Sequence, residues 1–438
     1  MGVDPPGGTA TPSTSPTAEL GVLVGVRTDA DPAGALELAI LADLLGFREV
    51  MIGEATGHDA FALATAMGRG PARITVGPLP AMVRDPVTIA RGAASVAALT
   101  GRRVDVALSA STSTVVEDWH GRSRGESAAV VAESALVLRG AQPAGSGPGA
   151  AGPGGANGSG GRSGPNGSAG AGATGRSGLR AVGAARTHFG GPGGAGPAGR
   201  PGNRIDSDDD AAAGGPDTGP RVGLGLGPDL GPGIGTGLLA GHPVEFAGSV
   251  VRTRGFTGAL PPSNGTVSVL AFGAELTEVA VARADRIIVP LGTVEHMARL
   301  RGRVQLAAER AGRPIPRLAL WIPVAADPDE TVRRDMLRSV VPYLRAPGFA
   351  GMFAEAGFGE LIRLARSGAH IRSVVAAAPD DLLGTIGAVG SVAVIRAALA
   401  EYRAVGVDDL LLVPDRLETL EALAGAAPGS GGRPPARA

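Results

Sequence analysis

The segment LADLLGFREVMIG (41–53) decides the fold. Its first half carries apolar residues at helical spacing and runs into Gly46, a residue that ends helices because it tolerates left-handed backbone. After one linker residue, REVMIG (48–53) is a short apolar run of the kind that forms a strand buried on both faces. The same corner returns near the end of the chain, where LAEYRAVGVDDLLLVP (399–414) reads helix, glycine, linker, strand.

Working outward, the alternation continues. LGVLVGV (20–26) is a strand, followed by a helix that Asp31 caps and Pro32 opens. A helix at about 59–69, the strand RITVG (73–77), a helix from Pro86 to about Leu99, the strand RVDVALS (103–109) and a helix at about 126–139 follow. Further along come VSVLAFG (267–273), a helix to about 283, RIIVP (286–290), a helix at about 293–311, and LALWIPVA (318–325). A helical insertion at about 328–378, a helix at 391–404 and DLLLVP (409–414) complete the pattern. Strands separated by helices predict a parallel sheet with crossover connections. Eight of them predict a closed α/β fold, the (β/α)8 TIM barrel; an open doubly wound sheet is the competing arrangement.

The stretch between the two halves is different in kind. The chain has 72 Gly among 438 residues, and many of them fall between 141 and 240. Such a composition buries too little apolar surface to offset its ordering entropy, so a disordered insertion is expected. GPGGAG (191–196) matches a dinucleotide fingerprint, but no strand precedes it and no helix follows. The expected organisation is a tail at 1–18, half a barrel at 19–140, the insertion at 141–240, the second half at 241–424 and a tail at 425–438. The insertion joins a helix to a strand, which places it on the face opposite the catalytic one.

Composition limits the chemistry. The net charge of -1 leaves no electrostatic footprint for nucleic acid or an anionic membrane. No apolar run is long enough to span a bilayer, and the first residues do not read as a signal peptide, so a cytoplasmic location is expected. There is no Cys, and all 40 cationic side chains are Arg. Thiolate and Schiff-base chemistry and the P-loop are therefore excluded. The six His, at 58, 120, 188, 242, 296 and 370, show no metal-ligand spacing.

EDWHGR (117–122) concentrates a Trp, a His, two acids and an Arg just beyond the end of a strand, where barrels place catalysis. Trp119 either stacks over a ligand or anchors the loop to the rim; Glu117 and Asp118 read as solvated. GRSRG (121–125) matches a hydrolase nucleophile elbow, but about a dozen residues separate Ser123 from the strand, whereas an elbow needs none.

These residues resemble a known family. LGFREVMIGEATGHDAFALATAMGRGPARITVG (45–77) looks like the second and third units of the luciferase-like monooxygenases, closest to the actinobacterial branch that uses the deazaflavin F420. Glu54-Ala55 and Asp59-Ala60 match paired positions of that branch. RDPVTIARGAASVAALTGRRVDVAL (84–108), VVEDWHGR (115–122), the hairpin VEFAGSVVRTRGF (244–256) and AVGVDDLLLVP (404–414) extend the likeness. The resemblance implies an oxidoreductase that moves hydride between F420 and a small organic substrate, with FMN as the alternative cofactor and a homodimer as the assembly. It implies catalytic roles for His120 (a proton donor), Trp119 and Glu54. Gly77, Pro78, Leu79, Pro80, Ser109, Ser111, Thr112, Gly273 and Ala274 would hold the cofactor, the first four around a cis peptide bond expected at Leu79–Pro80.

The chain departs from the family in three places. ALSASTS (107–113) replaces glycines, Glu275 sets a negative charge where a phosphate is expected, and Arg286 follows Asp285 where the family has Gly. Arg286 is the candidate for restoring positive charge at that phosphate. These changes leave open a non-catalytic barrel that binds a cofactor or partner.

Overall fold

A computed structural model of the chain describes residues 19–25, 31–54, 58–140, 237–242, 244–256 and 261–425. The expected disorder of the N-terminal tail, of 141–236 and of the residues beyond 425 lies outside them. The first half runs β1 (Leu20–Val24), α1 (Pro32–Leu44), β2 (Glu49–Ile52), α2 (Ala60–Ala66), β3 (Arg73–Pro80), α3 (Pro86–Thr100), β4 (Val104–Ser109), a π-helical turn (Thr114–Trp119) and α4 (Ser127–Arg139). The second half opens with a 3-10 turn (Leu238–Ala240) and the hairpin of β5 (Val244–Ala247) and β6 (Arg252–Phe256). It continues with β7 (Val267–Leu270), α5 (Ala274–Arg283), β8 (Arg286–Val289), α6 (Val294–Arg310) and β9 (Arg317–Ala326). Helices α7 (Glu330–Arg345), α8 (Pro347–Glu355), α9 (Gly359–Arg366), α10 (Ile371–Ala376) and α11 (Leu382–Ile386) follow. The chain then forms β10 (Ala388–Gly390), α12 (Val392–Ala404), β11 (Asp409–Pro414) and α13 (Leu417–Ala424).

The opening segment forms the corner that its residues predict. Gly46 takes φ 77° and donates to the Asp43 carbonyl at 3.2 Å. Phe47 N–H then reaches back to Ala42 O at 3.0 Å and Arg48 N–H to Leu20 O at 2.9 Å, which sends the chain into β2 beside β1. Strands β1, β2, β3, β4, β7, β8, β9 and β11 pair in parallel in that order. β11 pairs with β1, and the additional β8–β9 pairing shuts the ring. That closure rules out the open sheet and gives the expected eight-stranded TIM barrel. The short β10 was not expected; it lies along the end of β9.

Side chains alternate between two interiors. Val22, Val50, Ile52, Ile74 and Val106 face the helices in the larger core. Leu23, Met51, Ala107, Ile288, Ala319, Trp321 and Leu411 fill the barrel itself. Below that apolar layer, where the strands begin, the barrel is plugged by charge. Glu49 and Arg286 are both buried and meet through two 2.8 Å hydrogen bonds. Thr75 Oγ1 donates to Glu49 at 2.5 Å and Arg286 Nε to Ser268 at 3.0 Å. Burial alone would raise the Glu49 pKa; the charge and hydrogen bonds of Arg286, then Arg73 and Thr75, outweigh it and hold the carboxyl well below its usual range.

The two ends of the central insertion meet. A Cβ on Gly237 would lie 2.2 Å from the backbone of Arg139 and Gly140. Residues 237–240 are packed structure, with Leu238 and Leu239 buried. Replacing 141–236 with a short Gly-Ser linker while keeping Leu238 and Leu239 is therefore expected to leave the melting temperature within about 2 °C, since surface changes away from packed contacts stay within roughly 0.5 kcal/mol. A scanning calorimetry trace with a larger drop would show that the segment packs on the barrel.

Candidate active site

The C-terminal ends of β2, β3 and β4 are neighbours, so they bring Glu54, the residues 77–80 and Ser109 to one sector of the barrel mouth. Here Glu54 is not a free carboxylate. Arg84, from the loop after β3, grips both of its oxygens at 2.9 and 2.7 Å. The same guanidinium reaches Asp59 at 2.5 Å and lies over the Phe61 ring at 5.6 Å from its centroid. Asp59 also caps α2, accepting from Phe61 and Ala62 N–H. Burial would raise the Asp59 pKa, but the Arg84 bond and the cap lower it. Burial would lower the Arg84 pKa, and its bonds to Glu54 and Asp59 raise it instead. The result is a charged clamp joining the second and third units at the rim.

The end of β3 corrects one expectation. The cis peptide bond is Gly77–Pro78, not Leu79–Pro80. Leu79 and Pro80 stay in register with Leu108 and Ser109, and the pairing slips between Val76 and Leu79. Leu79 is fully buried and Ala81 N–H bonds Ser109 O at 3.0 Å, so the ladder holds those residues. Gly77 can sit in the slip because it takes φ 132°; a Cβ there would lie 2.3 Å from the Ala107 carbonyl oxygen.

The serine-rich stretch after β4 is built into this bulge. Ser109 Oγ lies 3.4 Å from the Leu79 carbonyl that it can donate to. Ser111 adopts φ 58°, a left-handed conformation where glycine is the usual residue. Thr112 Oγ1 accepts from Val115 N–H at 3.3 Å, so it starts the π-helical turn. Trp119 and His120 end that turn. Trp119 is 54% exposed, which excludes the reading in which it anchors the loop by burial. Val116 is the buried anchor, and Glu117 accepts from Arg124 N–H at 3.2 Å. Ser123 is exposed, 14 positions past the end of β4, and its Oγ accepts from Gly125 N–H at 3.1 Å. This is no nucleophile elbow.

Gly273 and Ala274 open α5 after β7, the neighbour of β4. Both are exposed, and no side chain caps the helix start. Glu275 stands in that first turn. Just before it, Phe272 stacks on Phe349 of α8 at 3.6 Å and on His296 of α6 at 5.6 Å between centroids. Burial, then Arg303 and Arg299, lower the His296 pKa. Arg286 does not serve this helix start. It begins β8 and points into the base of the barrel toward Glu49, at the opposite end of the strands, because only there does it find a carboxylate to balance a buried guanidinium.

Sequence reasoning missed three residues of the mouth and floor. Arg84 could have been suspected, since a charged residue in a strand-to-helix loop of a barrel sits on the catalytic face. His58 packs against Gly25 and its Nε2 lies 3.2 Å from the Gly53 carbonyl. Trp321 lies in the barrel floor, and its Nε1–H is buried with no hydrogen-bond partner among the described residues. Nothing in LALWIPVA marks this Trp as facing inward.

The fold has many solved counterparts. Tetrahydromethanopterin reductase from Methanopyrus kandleri, a coenzyme F420-dependent enzyme, superposes with a TM-score of 0.58 at 12% identity, covering 93% of this chain and 97% of its own. An F420-dependent secondary alcohol dehydrogenase, in complex with an F420–acetone adduct, gives 0.54 at 12% identity over 94% and 98%. The oxygenating constituent of 3,6-diketocamphane monooxygenase from Pseudomonas putida, in complex with FMN, gives 0.52 at 12% over 93% and 97%. At these identities the likeness is one of fold. Among curated proteins, none matches the chain in sequence. The sequence profile of the luciferase-like monooxygenases matches residues 9–147 and 234–409, which is most of the chain outside the glycine-rich segment. By that match the chain belongs to the luciferase-like monooxygenase family.

Proposed function

We propose that the protein is an F420-dependent oxidoreductase that exchanges hydride with a small organic substrate at the open end of the barrel. The observation that carries this reading is the floor of that opening: an apolar layer of Leu23, Met51, Ile288 and Leu411 around Trp321, whose buried N–H has no hydrogen-bond partner among the described residues. A flat heteroaromatic ring with carbonyl acceptors suits such a floor, because an orphaned buried donor costs free energy until an acceptor meets it. The start of α5 at Gly273 and Ala274, which no side chain caps among the described residues, suits a phosphate on the same molecule. When bound, a deazaflavin supplies the hydride donor or acceptor.

The chain's own residues supply the rest. Residues 77–80 and Ser109 shape the backbone against one side of the ring, and Ser111 and Thr112 set the path of the chain beside it. Trp119 covers the ligand from the rim. His120 holds the proton that goes to the substrate oxygen as hydride reaches the adjacent carbon, and imidazole is the side chain suited to that exchange near neutral pH. Glu54, fixed by Arg84, places a negative charge beside the reacting centre. A cytoplasmic homodimer is part of the same reading; no helix among the described residues is long and apolar enough to cross a membrane.

Titration of the purified protein with F420 and with FMN, followed by fluorescence, tests the reading. Tighter binding of F420 is expected. Preference for FMN would favour the oxygen-using alternative that the diketocamphane enzyme exemplifies, and binding of neither would leave a barrel without the cofactor. Glu275→Gln is a finer test. Removing a charge that opposes phosphate in a first helical turn is expected to tighten F420 about 2–5-fold, the scale of 0.3–1 kcal/mol for helix-end charges. Unchanged or weaker binding would place the phosphate elsewhere.

A further inference from the structure

The helices that follow β9 carry a cleft that the hydride chemistry leaves unused. It has a volume of about 470 Å³ and lies between α7 and the segment that runs from α10 to the start of α11. The sequence of α7 explains one wall. Met336, Val340, Val341 and Leu344 turn into the core of the insertion, and helical spacing then leaves Arg334 and Arg338 exposed one turn apart. Two contacts align the other wall. Arg345, at the end of α7, donates to the Ala369 carbonyl at 2.8 Å, and Arg333, near its start, donates to the Asp380 carbonyl at 3.3 Å. The segment from 369 to 380 therefore runs antiparallel to α7, which sets Arg372 away from the end where α7 begins.

Charge is sorted along this cleft. Its two acids, Glu330 and Asp380, line the end at the start of α7. There Glu330 accepts from Arg334 at 3.3 Å, next to the contact between Arg333 and Asp380. Arg338 stands about 12 Å further along the helix than Glu330, at 1.5 Å per residue. It pairs with Asp335 at 2.5 Å, an exposed pair of the kind that water and salt weaken. Arg372 donates its backbone N–H to His370 at 3.1 Å, and its exposed guanidinium has no hydrogen-bond or ion-pair partner among the described residues. The cleft also has an apolar lining. Leu383 is buried, Leu337 and Val375 are half-buried against the insertion's core, and all three face the same space as the arginines.

We propose that this cleft binds a small organic oxyanion with an apolar body, an aryl or branched-alkyl phosphate or carboxylate. Arg338 and Arg372 take the oxyanion, and Leu337, Val375 and Leu383 take the hydrocarbon. The planar fork of a guanidinium matches two oxygens of such a group. The volume is more than a bare oxyanion fills and falls within the range of small-molecule sites. None of these residues belongs to the set assigned to F420.

The test is isothermal titration calorimetry of the full chain with sodium phenyl phosphate at low ionic strength. One-to-one binding with a dissociation constant on the order of 0.1 mM is expected, about tenfold tighter than inorganic phosphate because the ring leaves water. Arg338→Gln and Arg372→Gln should each weaken phenyl phosphate about tenfold, the scale of one charge-assisted hydrogen bond. Both side chains are exposed, so the melting temperature of each variant should match the parent. Val375→Thr, nearly the same in shape, should weaken phenyl phosphate and leave inorganic phosphate unchanged. Absence of binding to the parent overturns the proposal, and so does parental affinity in both arginine variants. If those two variants bind like the parent while Glu275→Gln binds more tightly, the anion sits at the start of α5 and this site is refuted. Equal affinity for phenyl and inorganic phosphate refutes the apolar half. The F420 titration is read separately: loss of F420 binding leaves this site standing as long as phenyl phosphate depends on Arg338 and Arg372.

Discussion

Arg286→Met is expected to cost about 3–5 kcal/mol of unfolding free energy at pH 7, the scale for leaving one partner of a buried ion pair uncompensated. The guanidinium makes two 2.8 Å bonds to Glu49 and one of 3.1 Å to Thr75 inside a base layer that water does not reach. Removing it leaves Glu49 with Arg73 and Thr75 alone. The effect has a definite pH dependence. The Glu49 pKa is depressed from an ordinary 4.5 by Arg286 against the opposing effect of burial. A depressed carboxylate contributes stability that is present above its unfolded pKa and is lost as pH falls toward its folded one. Burial would likewise raise the Asp409 pKa, but Arg317, Arg286 and Arg48 depress it. The native protein should therefore lose stability on acidification below about pH 4.5, and the deficit of Arg286→Met should narrow there. Urea unfolding of both proteins at pH 7 and pH 4 measures this. A deficit independent of pH would mean that the loss is one of packing and that the ion pair contributes little.

His120→Ala is expected to cut turnover by roughly 10²-fold with little change in stability, the usual scale for losing an acid–base group. The residue is exposed at the end of the π-helical turn. Its neighbour gives the companion result. Because Trp119 is 54% exposed, Trp119→Ala should change stability by less than about 0.5 kcal/mol, against about 3–5 for a well-buried aromatic. It should still weaken binding of F420 or substrate if the ring covers the site. A thermal melt and a fluorescence titration on the two variants separate the roles. Full turnover in His120→Ala would take the proton from this loop and direct attention to His58, which sits between the ends of β1 and β2.

Much of the barrel was legible because its signals are local. Gly46 ends α1, Asp31, Asp59 and Asp85 cap helices, and each apolar run between such signals became a strand. The helical insertion was read as one region; Pro347, Gly357 and Gly368 fall where its helices begin or end. The candidate residues were picked by position alone. In the barrel, residues 77–80 end β3, FGAEL starts two residues past the end of β7 and EDWHGR starts eight residues past the end of β4. What each side chain does there was not legible. Glu54 read as a catalytic carboxylate, yet Arg84, 30 residues on, takes both oxygens.

The sequence by itself determined the alternation of strand and helix and the eight-strand count. Those follow from caps, glycines and apolar runs, each of which acts within a few residues. Only the tertiary structure decided which way the strand residues face. Parallel strands buried on both faces are apolar throughout, so period-two alternation carries no signal to tell barrel interior from helix side. Arg286 therefore read as a charge for the phosphate and Trp321 did not stand out. Closing the ring brought Arg286 to Glu49 across 237 residues and put Trp321 in the floor beneath the mouth. A buried guanidinium goes where a carboxylate can balance it, and that partner exists only once the barrel has closed.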